Sequence, residues 1–322
     1  MLPRAALPPA EYFLSGLLVA ALAALVIAKR PTPYLFAAVG TLVPLVCLDQ
    51  TRLQPWVYQY LMLLIVLTLT DWQTGGVRAS GHARCLSQLI MAALYFWSGV
   101  QKLNITFARE VLPNVLAPLQ GVPGATHVPR AALGVALAEA LIGCGLLFRR
   151  TRGLCVWLAV AMHGLVLGLL VSRDYNSVVW AWNAALAFMV VVLFRRSEAS
   201  PWRRFVKRGA GDGRARLAQV LAVASALLPA LSFWGWWDMN LSGALYSGNT
   251  AVAVVRVDRQ VYEKLPEMAK RQAFTTRSGE LMLPLLEWSM AELNVPPYPE
   301  ARVYRQVARE VCKLAESESR SS

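Results

Sequence analysis

The chain has 322 residues, of which 56% are hydrophobic and 16% charged, and its mean hydropathy is positive. This composition is far from that of an average soluble domain and excludes a globular protein of the aqueous phase. The formal net charge of +13 is a second departure from the average, and it arises in the apolar part of the chain.

Eight apolar stretches follow one another along the first 237 residues. A helix that crosses a bilayer needs roughly 17 to 25 predominantly apolar residues. The second and third stretches are the least regular, because Pro44 interrupts one and a short turn joins them, so a hairpin that only dips into the membrane has the same pattern. The stretches are 12–28, 31–48, 53–70, 85–101, 131–148, 153–172, 175–194 and 217–237. They predict an all-α polytopic membrane protein, a bundle of about eight transmembrane helices.

The distribution of basic residues predicts the orientation of the bundle. The loops after the first, third, fifth and seventh stretches carry more Lys and Arg than the alternate set, and the positive-inside rule places the richer set in the cytoplasm. Both termini are then extracytoplasmic in a multi-pass protein of the cell membrane. The richest loop contains RRSEASPWRRFVKRGAGDGRAR at 195–216, which we interpret as an anchor on anionic lipid headgroups rather than a nucleic-acid site.

The segment 238–322 is predicted to be a small soluble α/β tail, distinct from the membrane domain 1–237. The run AVAVVRV at 251–257 alternates like a strand, whereas 281–293 and 301–314 show helical spacing of apolar residues. So short a unit has little core of its own. We therefore expect it to pack on the outer face of the membrane domain.

The sequence contains no motif for several common chemistries. The five cysteines are scattered, without a C-x-x-C pair for redox chemistry or zinc. No second histidine lies at metal-ligand spacing from His163, so no metal is expected. Signatures of nucleotide-binding proteins, hydrolases and zinc proteases do not occur in a suitable context.

The most informative polar residue is Lys102, near the end of the run YFWSGVQKLN at 95–104. On a helix, Tyr95, Ser98 and Lys102 fall on one stripe at spacings of three and four, so a hydroxyl-rich face leads to the ammonium group. A lysine at a helix end commonly extends to the membrane interface. That explanation competes with a functional one.

The same run resembles a segment of the vitamin K-dependent gamma-glutamyl carboxylases, in which an aromatic pair, a small-Gly pair and a lysine precede Leu and an Asp or Asn. Upstream, CLDQTRLQPWVYQYLMLLIVLTLTD at 47–71 resembles the family's Leu-Asp-Lys-Thr stretch and the helix that follows it. Downstream, 136–194 resembles helices that carry an acidic residue, an Arg-containing turn, a His and an Asn-Ser pair. Together these segments resemble the horizontally transferred transmembrane (HTTM) domain over residues 11–200.

The resemblance implies a membrane enzyme in which Lys102 is the base. In the carboxylases a lysine amine deprotonates a reduced naphthoquinone, oxygen adds, and the strong base so formed removes a glutamate gamma-proton before CO2 is added. A vitamin K-like quinone and a protein or peptide substrate on the outer side are therefore implied. The chain departs from the family at Gln101, where the carboxylases have a first lysine, at the histidine, for which His82 is the nearest candidate, and in its short tail.

A lysine can act as a base only when its amine is uncharged, and burial in a low dielectric favours the neutral form. Lys102, at an apolar helix end, meets this demand, and the resemblance makes Tyr95 and Ser98 candidates for cofactor binding. A nearby carboxylate would instead hold the positive charge. Asp49 or Glu139 close to Lys102 would therefore indicate a structural ion pair.

Four further residues of the apolar stretches have both a functional and a structural interpretation. Glu139 is either a catalytic residue or a buried pairing partner, and His163 is either a catalytic histidine or a satisfied interhelical donor. Asn176 and Trp180 are candidates for quinone binding, although tryptophan at this position is typical of the aromatic belt. Glycines near Glu139 predict close helix packing. They are Gly134, Gly143 and Gly145.

Two functions of different classes follow. The first is a quinone-dependent membrane enzyme of the carboxylase type, with Lys102 as base and a substrate on the outer side. The second is a non-catalytic membrane scaffold or subunit that keeps the HTTM fold and binds a partner through its tail. The surroundings of the Lys102 amine discriminate between them.

Overall fold

The computed structural model describes residues 9–70, 81–119, 128–195 and 213–316, which are mostly helical, with a small sheet near the C terminus. The greater part of the basic run at 195–216 lies outside the described residues. Each of the eight predicted apolar stretches contains a helix. The helices of this part are α1 (Pro9–Ile27), α2 (Thr32–Leu48), α3 (Pro55–Leu69), α4 (Gly81–Gln101), α5 (Leu112–Val115), α6 (Val128–Leu147), α7 (Arg152–Val171), α8 (Val178–Phe194) and α9 (Gly213–Leu227).

Three of these helices are long and apolar enough to cross a membrane. They are α1, α7 and α9. Helix α9 is counted together with the 3-10 helix that follows it, so this third segment is Gly213–Trp234. Four other apolar helices are shorter than 18 residues. A membrane protein is therefore supported by three segments, and the arrangement of eight spans stays a prediction. Helix α2 continues through Pro44, so the proline does not divide it.

Helices α4 and α6 approach each other so closely that glycine is required at the contact. A Cβ on Gly99 would lie 2.3 Å from the backbone nitrogen of Ala140, and one on Gly143 would lie 2.4 Å from the backbone nitrogen of Phe96. Contacts this short are possible only without a side chain. The prediction of close packing is confirmed for Gly143 and wrong for Gly134, which has nothing within 4 Å.

The third predicted glycine, Gly145, faces the neighbouring helix rather than α4. A Cβ there would lie 2.3 Å from the Sγ of Cys155, near the start of α7. The two glycines of α6 therefore allow contacts on two different sides. The main buried cluster of the bundle is formed by α4, α6, α7 and α8.

The tail has its own buried cluster around a three-stranded antiparallel sheet in the order β1-β3-β2. Its elements are β1 (Val254–Val257), α10 (Arg259–Lys264), α11 (Glu267–Gln272), β2 (Phe274–Thr275), β3 (Leu281–Pro284), α12 (Leu285–Leu293) and α13 (Ala301–Glu316). Val255 and Val257 pair with Leu283 and Leu281. The segment 281–293 was expected to be one helix. Its first four residues instead pair with β1, and α12 begins after Pro284.

The tail contacts the bundle at two places. At the α2–α3 connection, the side-chain oxygen of Gln50 accepts a hydrogen bond of 3.2 Å from Arg302, and its side-chain nitrogen donates one of 3.4 Å to Asp238. At the α7–α8 turn, the side-chain oxygen of Asn294 accepts a hydrogen bond of 2.6 Å from the backbone nitrogen of Asn176. The tail therefore packs on the end of the bundle at which α4 terminates.

Candidate functional site: a polar cluster at the end of α4

Lys102 forms a buried ion pair with Glu139. The Nζ of Lys102 lies 2.6 Å from the Oε2 of Glu139, and the two side chains are 14% and 10% exposed. The same Nζ donates a hydrogen bond of 2.8 Å to the hydroxyl of Ser98, one turn earlier on α4. The amine therefore has a carboxylate and a hydroxyl as partners, which is the arrangement expected of a charged ammonium group.

The close approach of α4 and α6 positions this pair. Gly99 precedes Lys102 by three residues and contacts the backbone at Ala136 and Ala140. Glu139 is the residue before Ala140, so its carboxylate lies beside the end of α4. The pair is thus a consequence of helix packing as well as of charge.

A second polar group joins α4 to α7 and α8. The Tyr95 hydroxyl lies 2.7 Å from the Nε2 of His163, whose Nδ1 lies 3.0 Å from the side-chain oxygen of Asn183. All three residues are less than 10% exposed.

The structure brings five of the seven predicted site residues into these two groups and places the other two elsewhere. Asn176 is fully buried and bonds to Tyr246 and Asn294. Trp180 donates to the backbone oxygen of Tyr175 at 3.0 Å. None of the contacts described for Asn176 and Trp180 involves Lys102. Their assignment to a common quinone site has no support in these contacts.

The segment 239–249, which we call the strap, covers the end of α4. The side-chain nitrogen of Asn249 donates to Gln101 at 2.6 Å, and the backbone oxygen of Ser247 accepts from Asn104 at 2.7 Å. At the left-handed residue Gly248, a Cβ would lie 2.8 Å from the backbone nitrogen of Phe107. The strap therefore packs backbone against backbone beside the ion pair.

Outside the apolar helices, burial is the main cause of the raised pKa of one tyrosine in the strap and one in the tail. It raises the pKa of Tyr246, and the hydrogen bond from Asn176 opposes this rise. It also raises the pKa of Tyr304 to about 12, and the hydroxyl of this residue donates to the backbone oxygen of Ala251 at 2.8 Å. Both phenols are therefore neutral at physiological pH; Tyr246 accepts its hydrogen bond from Asn176, and Tyr304 donates its own to Ala251.

A small crevice lies on the neighbouring side of α4. It is lined by Leu94 and Trp97 of α4 and reaches Gly243 of the strap, and its volume is about 30 Å³. A cavity that admits a single benzene ring is about 150 Å³. Lys102 does not line this crevice, so a quinone beside the Lys102 amine stays a prediction.

The described residues hold no group of three or more His, Cys, Asp or Glu side chains arranged to bind a metal ion. The contacts of the cluster are a charge pair between Lys102 and Glu139 and a hydrogen bond between Tyr95 and His163. Both occur among the helices that form the main buried cluster.

Two contributors to the site were missed from the sequence. Asn183 is a single amide within the apolar helix α8, and its isolation was a signal that it needs a polar partner. Gly99 follows Ser98 directly, but only the position of α6 shows why it must be glycine. Comparisons of the chain with family models, with curated proteins and with solved structures find no match.

Proposed function

We propose that the chain is a membrane scaffold, in which the helical bundle supports the C-terminal tail and the Lys102–Glu139 pair holds α4 against α6. The observation that carries this proposal is the distance of 2.6 Å between the Lys102 Nζ and the Glu139 Oε2. An amine bound to a carboxylate keeps its proton, because the negative charge stabilises the ammonium form. It is then a structural cation rather than a base.

The energetics of buried ion pairs support a role in positioning rather than in stability alone. Moving two charges out of water costs several kcal/mol per ion, and their attraction repays this only when geometry is good. The benefit of such a pair is often that one arrangement of the helices is preferred. Here Gly99 and Gly143 allow the backbones to touch, and the ion pair fixes the register of that contact.

The C-terminal tail has the features expected of a unit that the helical bundle holds in place. It has its own buried cluster, and it is joined to the bundle by polar contacts that include Arg302 with Gln50 and Asn294 with Asn176. The strap connects it directly to the end of α4. A displacement of α4 would therefore be transmitted to the base of the tail.

The scaffold proposal is tested by replacing both charges with apolar side chains of similar size. The purified double variant Lys102→Met/Glu139→Leu should fold and melt near the wild-type temperature, since apolar replacement of a whole buried pair is often neutral or stabilising. Its tail should be cleaved faster by protease, because the register of α4 against α6 is no longer fixed. The matched control is Glu139→Leu alone, which leaves the ammonium unpaired and should melt at a lower temperature. A double variant whose tail keeps the wild-type protease resistance would contradict the proposal.

The second candidate is the quinone-dependent enzyme that the resemblance implies, and one observation favours it. The Lys102 and Glu139 side chains are only 14% and 10% exposed, so water does little to stabilise charges at this position. A low-dielectric site favours neutral over charged forms. The neutral amine of Lys102 would then be a base next to the Tyr95–His163 pair.

Lipid extraction separates the two candidates. The enzyme predicts that wild-type protein purified from membranes carries quinone in a stoichiometric amount, and that Lys102→Met/Glu139→Leu loses it. The scaffold predicts no stoichiometric quinone in either protein. Ser98→Ala is a milder control, since it removes one partner of the amine and leaves the ion pair in place.

A further inference from the structure

Large aromatic side chains are exposed where the 3-10 helix after α9 ends. Trp234 and Trp236 are 68% and 76% exposed, and Phe233 beside them is half exposed. They continue an apolar surface, because Val220 and Leu227 of α9 are exposed as well. Tryptophan is enriched at surfaces where one part of the ring meets an apolar medium and the indole N–H meets a polar one.

The backbone holds the two tryptophans in an ordered turn. Gly235 lies between them in the left-handed conformation, with a φ of 72°, and ends the 3-10 helix. The backbone N–H of Trp236 donates to the backbone oxygen of Leu231 at 3.1 Å. The ring of Phe233 packs against Trp97 of α4, with 6.5 Å between the ring centroids. The exposure of the indoles is therefore a property of a turn that is fixed against α4.

This turn is level with the end of α4. The side-chain nitrogen of Gln101 donates to the hydroxyl of Ser232 at 2.8 Å, and Lys102 is the next residue of α4. Directly after it, Leu103 and Ile105 are exposed. The level of the indoles is therefore also the level of the Lys102 backbone, and exposed apolar residues continue there.

The start of α1 and the α7–α8 turn lie at the same end of the bundle and are also apolar. Tyr12 and Phe13 of α1 are 68% and 70% exposed, and α1 begins beside the α2–α3 connection, where Arg52 pairs with Glu11. Helix α1 packs on α2, α7 packs on α6 and α8, and α9 packs on α3 and α4. The exposed residues therefore belong to different sides of the bundle. A single partner protein covers one side, whereas a bilayer covers all sides at one level.

The opposite end of the bundle is basic. Lys29 and Arg30 follow α1 and are exposed, and the guanidinium of Arg195 lies 5.8 Å from the ring centroid of Trp157. Helix α7 joins the two ends with 20 residues, a length of about 30 Å at 1.5 Å per residue. This length matches the hydrocarbon core of a bilayer.

We propose that the headgroup layer of a phospholipid bilayer surrounds the bundle at the level of Trp234 and Trp236, and that these indoles anchor the chain in that layer. Their rings contact the acyl chains, and their N–H groups donate to oxygens of the headgroup layer. The tail then lies directly outside the bilayer. The proposal concerns the position of the bilayer, so its failure would leave the ion pair of the proposed scaffold untouched.

Tryptophan fluorescence of the full-length protein in phosphatidylcholine vesicles tests this position. Bromine atoms on the acyl chains quench a nearby indole, so lipids brominated close to the headgroup or close to the chain end report its depth. The difference in fluorescence between the wild type and Trp234→Phe/Trp236→Phe is the signal of the two indoles. This signal should be lost mainly to the shallow bromines and only weakly to acrylamide in the water. Trp288→Phe is the matched control, because Trp288 is 1% exposed within the tail and its signal should be lost to neither.

Three results would overturn the proposal. Stronger quenching by the deep bromines would place the indoles inside the hydrocarbon core, and quenching by acrylamide alone would place them in water. A signal that no reagent quenches would show that a partner protein or a second copy of the chain covers them. Trp234→Tyr/Trp236→Tyr, whose rings keep a polar tip, gives the same subtraction if the phenylalanine variant does not fold.

Discussion

The Lys102–Glu139 and Arg302–Asp238 ion pairs have similar chemistry in different surroundings. The first is almost enclosed, with side chains 14% and 10% exposed, whereas Arg302 and Asp238 are 49% and 21% exposed. Water screens the second pair and supplies alternative partners to its charges. The enclosed pair has no such alternative, so loss of one partner leaves a buried charge. Removal of one charge should therefore lower the free energy of unfolding much more in the buried pair than in the exposed one.

The largest effect is expected from removing one charge of the enclosed pair. Glu139→Gln or Lys102→Met should each lower the free energy of unfolding by about 3–5 kcal/mol, since the remaining charge is buried without its counterion. Thermal melting in detergent gives the direct measurement. Arg256→Ala is the matched control, because Arg256 pairs with Glu280 while 73% exposed. If Glu139→Gln lowered the free energy of unfolding no more than Arg256→Ala, the buried and the exposed ion pairs would not differ in this respect.

The helix contact that positions the enclosed pair should be nearly as sensitive. Gly99→Ala places a Cβ where only 2.3 Å separates it from the Ala140 backbone nitrogen, so α4 and α6 must move apart, at a cost of about 3 kcal/mol. Gly134→Ala, on the same α6 but in open space, should be neutral or slightly stabilising. Melting temperatures of the two variants measure the difference, and equal values would contradict the packing argument.

Arg302→Ala tests the exposed pair and should have a much smaller effect. We expect the free energy of unfolding to fall by about 1 kcal/mol or less, because the pair is half open to water. Added salt should reduce this effect further, since it screens the two charges. Limited proteolysis of the tail at low and high ionic strength is the appropriate measurement. A loss of stability as large as that of Glu139→Gln, or one that does not depend on salt, would show that solvent exposure does not determine how much these ion pairs contribute to stability.

The smallest predicted effect is a pH dependence at the same tail contact. Burial raises the pKa of Glu300, although the backbone N–H of Met239 partly opposes this by donating a hydrogen bond. A raised pKa means that the folded state binds the proton more tightly. The contribution of Glu300 to the free energy of unfolding is therefore largest below the ordinary pKa of a glutamate. It is lost as pH rises through the raised pKa of the folded state.

Glu300→Gln keeps an acceptor for Met239 and removes the titration. The protease resistance of the wild-type tail should decline with rising pH in the range where Glu300 ionises, and that of the variant should not. An identical pH profile for the two proteins would show that Glu300 does not contribute to tail docking.

Apolar stretch lengths were sufficient to locate the described helices of the bundle except the short α5, because each of the others contains a continuous apolar run. The helical stripe also placed Ser98 next to Lys102, since a spacing of four residues is a local property of the chain. The pairing of Lys102 with Glu139 was recognisable only as one of several alternatives. It depends on how α4 and α6 are placed, which no local pattern specifies.

The strap and the α7–α8 turn show where local patterns fail. Asn176 was predicted at a cofactor site, which stays a prediction, and its bonds to Tyr246 and Asn294, far along the chain, were not foreseen. Likewise, Asn249 reaches Gln101 from a position outside any helix or strand. Such contacts join distant segments, so they are determined by tertiary packing rather than by residue spacing.

The protonation of one nitrogen atom tests the central claim most directly. Nitrogen-15 NMR of the Lys102 Nζ in the full-length protein, assigned by comparison with Lys102→Met, distinguishes an ammonium group from a neutral amine. A structural ion pair predicts an ammonium signal at neutral pH that disappears only when Lys102 is replaced. A neutral amine beside a protonated Glu139 would contradict the scaffold and favour a base at the end of α4.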